Sequence, residues 1–217
     1  MRTTLPSGTP AELVTADGAT MGLVIAPDIF GLRPLFDDLV ARLADEWSMA
    51  VCAVEPFPGR DLPLEAEPRV AAMSELDDEA ELADLLAGAE ATGQERVGLI
   101  GFCMGGMYAL KTARSDRFAR IVAFYGMIRV PEPWRGPGQG EPLDHLATGH
   151  PDRVLAIIGE RDPYTPPADV EALEAAGVAT ARYPDAEHGF VHDANRPAHR
   201  PDDAANALHR ANTWLTT

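Results

Sequence analysis

One hexapeptide limits what this chain can fold into more than any other stretch: Gly101-Phe102-Cys103-Met104-Gly105-Gly106. It continues an apolar run, residues 97–102 (VGLIGF), and opens a stretch of helical character that reaches about residue 114. A strand that passes into a helix through one residue strains that residue's backbone, and side chains two positions to either side would collide, so glycine stands at 101 and 105. The turn places Cys103 at a helix N-terminus, where the backbone dipole favours thiolate over thiol. The Met104 N–H faces the same space and offers one half of an oxyanion hole. The plainer alternative is a Gly-rich turn with an inert, buried cysteine. A phosphate-binding loop is excluded, because the chain carries neither G-x-G-x-x-G nor G-K-[ST] at this place.

Around this turn, short apolar runs alternate with helical spacing. Residues 22–26, 49–54, 97–102, 121–125, 154–158 and 180–183 read as strands. Residues 35–46, 75–90, 168–176 and 202–215 read as helices, with 75–90 an acidic, solvated amphipathic one. Such alternation implies parallel pairing through right-handed crossovers, and continuously apolar strands imply a sheet covered on both faces. The expected fold class is α/β: a mainly parallel central sheet with helices on both faces, in a single domain over residues 1–217. Two Pro- and Gly-rich stretches, 56–68 and 131–151, read as long loops near the mouth of a pocket.

A base and an acid follow in order. Gly159-Glu160-Arg161-Asp162-Pro163 comes directly after the strand at 154–158, and Glu187-His188-Gly189-Phe190 comes after the last strand. Nucleophile, acid and base then appear in the chain order of the α/β-hydrolase arrangement. In that arrangement His188 exchanges protons with sulfur and water, and Asp162 orients the imidazole and stabilises its cation. Taken singly, Asp162 also fits a helix cap or an Asp-Pro turn, and His188 a surface loop. His188 and His192 have the spacing of two metal ligands on a helix, but Gly189 and the loop context spoil it and no third ligand is evident. No metal and no cofactor are expected.

Composition excludes several classes of partner. The formal net charge of −16 argues against nucleic-acid backbones and anionic membranes. Apolar runs are far shorter than the about 20 residues that span a bilayer. The polar residues 1–10 show no secretory signal, so the expected compartment is the cytoplasm. Two cysteines, Cys52 and Cys103, make no disulfide framework for 217 residues, and Cys52, among Val and Ala, reads as core.

At these residues the sequence resembles the dienelactone hydrolase family. The resemblance covers most of the chain and is carried by Ala26-Pro27-Asp28-Ile29-Phe30-Gly31, by Gly101 to Gly106, by Asp162 and by Glu187 to Phe190. It implies the α/β-hydrolase fold and hydrolysis of a lactone or small ester through an acyl-thioester on Cys103. It implies that the Ile29 N–H completes the oxyanion hole with Met104. It assigns thiol activation to Asp28, where the family usually has a Glu one methylene longer. Dienelactone hydrolase proper has an Arg that grips the substrate carboxylate four residues after its catalytic His. Here that position is His192, a weaker cation, with Arg196 nearby. The family's Arg and Tyr before the acidic helix align with Ala66 and Val70, leaving Arg69 one helical turn away as the third candidate for substrate binding. The resemblance leans towards a monomer or weak homodimer whose partner is a small lactone or ester. Two further readings fit the sequence: a catalytically silent binding protein on the same fold, and a thiol redox protein using Cys103, for which Cys52 is a poor resolving partner.

Overall fold

The computed structural model describes residues 1–217. Its centre is one eight-stranded sheet. The strands are β1 (Arg2–Thr4), β2 (Pro10–Thr15), β3 (Gly22–Ala26), β4 (Ala50–Val54), β5 (Val97–Phe102), β6 (Phe118–Phe124), β7 (Val154–Gly159) and β8 (Ala179–Tyr183), in the spatial order β1-β2-β4-β3-β5-β6-β7-β8. β1 pairs antiparallel with β2, and β2 antiparallel with β4. Every other pairing is parallel.

Alternation along the central strands explains the two covered faces. Leu23 and Ile25 of β3, with Ile100 and Phe102 of β5, point to one face. There they meet Phe36, Val40 and Leu43 of α1 (Pro34–Trp47) and Ala204, Ala207, Ala211 and Leu215 of α7 (Pro201–Thr216). Val24, Ala26, Val97 and Leu99 point to the other. That face is covered by α3 (Asp78–Ala91) through Leu82, Leu85 and Ala89, by α4 (Met104–Lys111) through Met104 and Met107, and by α6 (Pro167–Ala175) through Val170 and Leu173. The expected α/β architecture is therefore present. No helix is long and apolar enough to cross a membrane.

Four expectations change in detail. The strands β1 and β2 lie in residues that show no clean apolar run, because β1 is a three-residue edge strand and β2 mixes Glu12 with its apolar residues. The helix expected from residue 75 starts at Asp78, where the Asp77 carboxylate caps the Ala80 N–H at 3.1 Å. The stretch 56–68 ends inside a helix, α2 (Ala66–Met73). The stretch 131–151 contains 3-10 turns at Glu132–Trp134 and Pro151–Arg153 and a short helix, α5 (Pro142–Ala147). This last segment does not hang free. The Asp78 carboxylate takes the Gly140 N–H at 2.8 Å, and Trp134 is buried.

Candidate active site

Five parallel strands end at one rim of the sheet, and each is followed by a residue of interest. Asp28 and Ile29 follow β3, Cys103 follows β5, Tyr125 follows β6, Asp162 follows β7 and His188 follows β8. This is the carboxyl-end crevice where open α/β sheets bind ligands.

Cys103 has φ 56° and ψ −115°, outside the regions an L residue ordinarily occupies. Such strain costs about 1–3 kcal/mol and persists because the surroundings over-determine it. The Cys103 N–H is tied to the Phe124 carbonyl at 3.0 Å, and the Cys103 carbonyl accepts from Met107 N–H at 3.0 Å. A Cβ at Gly101 would collide with the Gly105 carbonyl, and one at Gly105 would collide with the carbonyls of Ala26 and Pro27. The turn is closed from both sides, and the loop after β3 lies directly against it. Cys103 is half-buried and free, whereas Cys52 is fully buried in β4, with its thiol pushed up to about 12 chiefly by burial.

His188 and Asp162 meet across the rim. The Asp162 side chain is buried, and its Oδ2 lies 2.7 Å from His188 Nδ1. A carboxylate only accepts, so Nδ1–H donates and Nε2 is left for other work. The second oxygen, Oδ1, accepts the Tyr164 N–H at 2.8 Å, which fixes the carboxylate plane. Burial works against the charged imidazole. The Cys103 sulfur, by its charge and as a hydrogen-bond partner, and Asp162 together outweigh it and raise the His188 pKa to about 10. Two tyrosines flank the ring edge-on: Tyr125, buried, at 5.2 Å, and Tyr164, half-exposed, at 4.9 Å.

Two backbone donors are available near the sulfur's side of the rim. Met104 is the first helical residue of α4 and has no acceptor within its helix. The Ile29 N–H, in the loop packed on the turn, donates to no protein carbonyl.

The remaining expected residues have other partners. Asp28 is buried, and its carboxylate accepts from Arg33 at 2.7 and 2.9 Å, from the Phe30 N–H at 3.0 Å and from His192 Nε2 at 2.8 Å. Burial alone would raise its pKa, but the hydrogen bonds from His192 and Arg33 hold the carboxyl well below the usual carboxylate range. Its oxygens are therefore occupied, with none left over for the thiol. His192 has no exposed side-chain surface. One ring nitrogen faces Asp28 and the other faces the Tyr125 hydroxyl at 2.6 Å, so neither is free for a substrate carboxylate. Arg69 is buried and donates to the carbonyls of Pro63 at 2.6 Å, Leu62 at 2.7 Å and Ile29 at 3.1 Å, which makes it a strut between the 56–64 loop and the loop after β3. Arg196 packs its guanidinium on Gly189, next in the chain to His188. An open groove of about 490 Å³ beyond Phe30 is lined by Leu32, Phe57, Leu62, Leu64 and Arg69, and by none of Cys103, Asp162, His188 or residues 131–151.

Tyr125 and Tyr164 were not singled out from sequence. Tyr125 directly follows β6 and has φ 39°, an unusual value for a bulky residue, while Tyr164 lies in the loop after β7. A tyrosine closing the strand run IVAFY was the only available signal.

Comparison with known proteins identifies the family and agrees with the fold. The sequence pattern of the dienelactone hydrolase family matches residues 10–217. Carboxymethylenebutenolidase 2 of Cupriavidus pinatubonensis is 29% identical over 83% of this chain and 78% of its own. Carboxymethylenebutenolidase of Rhodococcus opacus is 29% identical over 88% of this chain and 78% of its own. The crystal structure of a putative dienelactone hydrolase from Klebsiella pneumoniae superposes with a TM-score of 0.86 at 25% identity, covering 100% of this chain and 98% of that one.

Proposed function

The chain belongs to the dienelactone hydrolase family and is a carboxylic ester hydrolase, and from that premise we propose that it opens a lactone or small ester through a Cys103-His188-Asp162 triad and an acyl-thioester. The observation that carries this reading is the pairing of His188 Nδ1 with the buried Asp162 at 2.7 Å, at the same strand-end rim that presents Cys103.

In the proposed cycle the Cys103 thiolate attacks the substrate carbonyl carbon. Charge moves to the carbonyl oxygen, which the N–H groups of Ile29 and Met104 receive. The tetrahedral adduct collapses, the carbon–oxygen bond breaks, and the His188 imidazolium gives its Nε2 proton to the leaving alkoxide. In a lactone the alkoxide stays tethered to the acyl group. Neutral His188 then takes a proton from water as the water attacks the thioester. The second adduct expels the thiolate, releases the carboxylic acid and restores the ion pair. Asp162 holds the tautomer and the cation throughout. A substrate carboxylate, where one is present, is left to Arg196, since His192 and Arg69 are engaged internally.

The test is loss of ultraviolet absorbance from an unsaturated enol-lactone carrying a free carboxylate, run beside a neutral p-nitrophenyl ester, with wild type and Cys103→Ala. Turnover by wild type alone, with an acyl adduct on Cys103 by mass spectrometry, supports the triad. Equal turnover by Cys103→Ala removes it. Turnover of the neutral ester but not the enol-lactone keeps the chemistry and discards a carboxylate-bearing substrate.

A further inference from the structure

Next to the proposed triad lies a second chain of polar groups: Tyr125, His192 and Asp28, all buried, and the partly buried Arg33. Asp28 can only accept, so His192 Nε2 carries a proton and donates to it, and the Tyr125 hydroxyl donates to Nδ1; these roles are assigned from what each partner can accept. Phe102 packs on the His192 ring at 4.9 Å and Phe36 at 5.8 Å, so the imidazole cannot swing out.

The connectivity of this chain matters more than its membership. Asp28 directly precedes Ile29, and its carboxylate clamps its own loop from within, through the Phe30 N–H and the bidentate Arg33; the Gly31 N–H adds a bond to the Asp28 carbonyl at 3.0 Å. His192 lies four residues after His188, on the segment that bears the base. Tyr125 directly follows β6, touches the His188 ring edge and bonds His192. Three loops that come together only at this rim are thus stapled through one imidazole.

We propose that Asp28 is a positioning residue for the oxyanion loop and does not act on the thiol, and that His192 and Tyr125 carry this clamp across to the base-bearing loop. The proposal rests on the thiol-hydrolase reading above. In it, the clamp sets the direction of the Ile29 N–H relative to Cys103 and His188. The residue that the family resemblance casts as a thiol activator has exchanged that role for a structural one, consistent with its shorter side chain and four filled hydrogen bonds.

Two reactions of the same sulfur separate the roles. Ester hydrolysis develops an oxyanion, whereas alkylation by iodoacetamide does not: the sulfur displaces iodide from carbon and only the state of the thiol matters. Cys52 is buried, so alkylation reports Cys103. Asp28→Asn and the shape-conserving Tyr125→Phe are compared with wild type on a p-nitrophenyl ester, by kcat and KM separately, and by alkylation rate. The expected result is a kcat lower by roughly 10- to 100-fold at unchanged KM, because a small misplacement of an aligned group costs about this much, with alkylation unchanged. Alkylation that falls in step with kcat would overturn the proposal by placing Asp28 in action on the sulfur. An unchanged kcat in both variants would overturn it by showing that the clamp positions nothing. Cys103→Ala in the same assay separates this failure from failure of the triad, since only the latter leaves that variant active.

Discussion

His188 Nδ1 sits 2.7 Å from Asp162 Oδ2, and the aspartate it meets has no exposed side-chain surface. With Nδ1 held by a carboxylate that water cannot reach, Nε2 is the ring nitrogen left free for proton transfer. Replacing Asp162 by Asn keeps the shape and removes the charge. The expected outcome is a loss of about 10²-fold or more in kcat, the scale of general acid–base catalysis, with little change in KM. Steady-state kinetics on a p-nitrophenyl ester checks this, and thermal denaturation shows whether the fold is retained.

The His188 pKa of about 10, raised above its ordinary 6.5, sets an alkaline boundary. Acylation uses imidazolium to protonate the leaving group, so kcat/KM should decline as pH rises through about 10. Stability follows the same sign. A folded-state pKa above the unfolded value favours the folded state fully below pH 6.5, and that contribution is lost as pH rises from 6.5 through about 10. Denaturant titrations of wild type and His188→Gln across this window should converge at the alkaline end.

The carbonyls of Ala26 and Pro27 occupy the space a side chain at 105 would need. Gly105→Ala should therefore push apart the turn and the loop after β3, at a cost of about 1–3 kcal/mol typical of overpacking, and should lower kcat because the Ile29 loop moves. Urea unfolding gives the first quantity and ester hydrolysis the second. Gly8→Ala serves as the comparison for backbone strain without collision, since a side chain there meets nothing within 4 Å but its φ is +92°, whereas Gly105 has no positive φ.

The only lysine of the chain, Lys111, is fully buried and bonds Asp78 at 2.7 Å. Asp78 also takes the Gly140 N–H and has His145 Nε2 at 3.4 Å, so this pair pins the 131–151 stretch to α3 and α4. Lys111→Met leaves a buried carboxylate with less compensation and should destabilise by about 3–5 kcal/mol. The double variant Lys111→Met, Asp78→Leu should recover a large part of that loss. A urea titration of the single and double variants reads the difference directly.

What the amino-acid order determined alone is the class of fold and the three groups of the proposed triad. Apolar runs such as 22–26 and 97–102 are unbroken, as a sheet covered on both faces demands, and a Gly-flanked cysteine between strand and helix has few other uses. These are local relations, carried by neighbours in the chain. β1, β2, α2 and α5 were not legible, because they are short and owe their form to what they pack on or bond to. The fate of Asp28 was decided only by tertiary structure. Its partner His192 lies 164 residues away, and nothing in either segment reveals the other. Likewise Arg69 and His192 look like free cations in sequence, and the fold turns both inward. Desolvation forces a buried polar group to find partners wherever the backbone brings them, so which charges remain for a substrate is settled by packing, not by spacing along the chain.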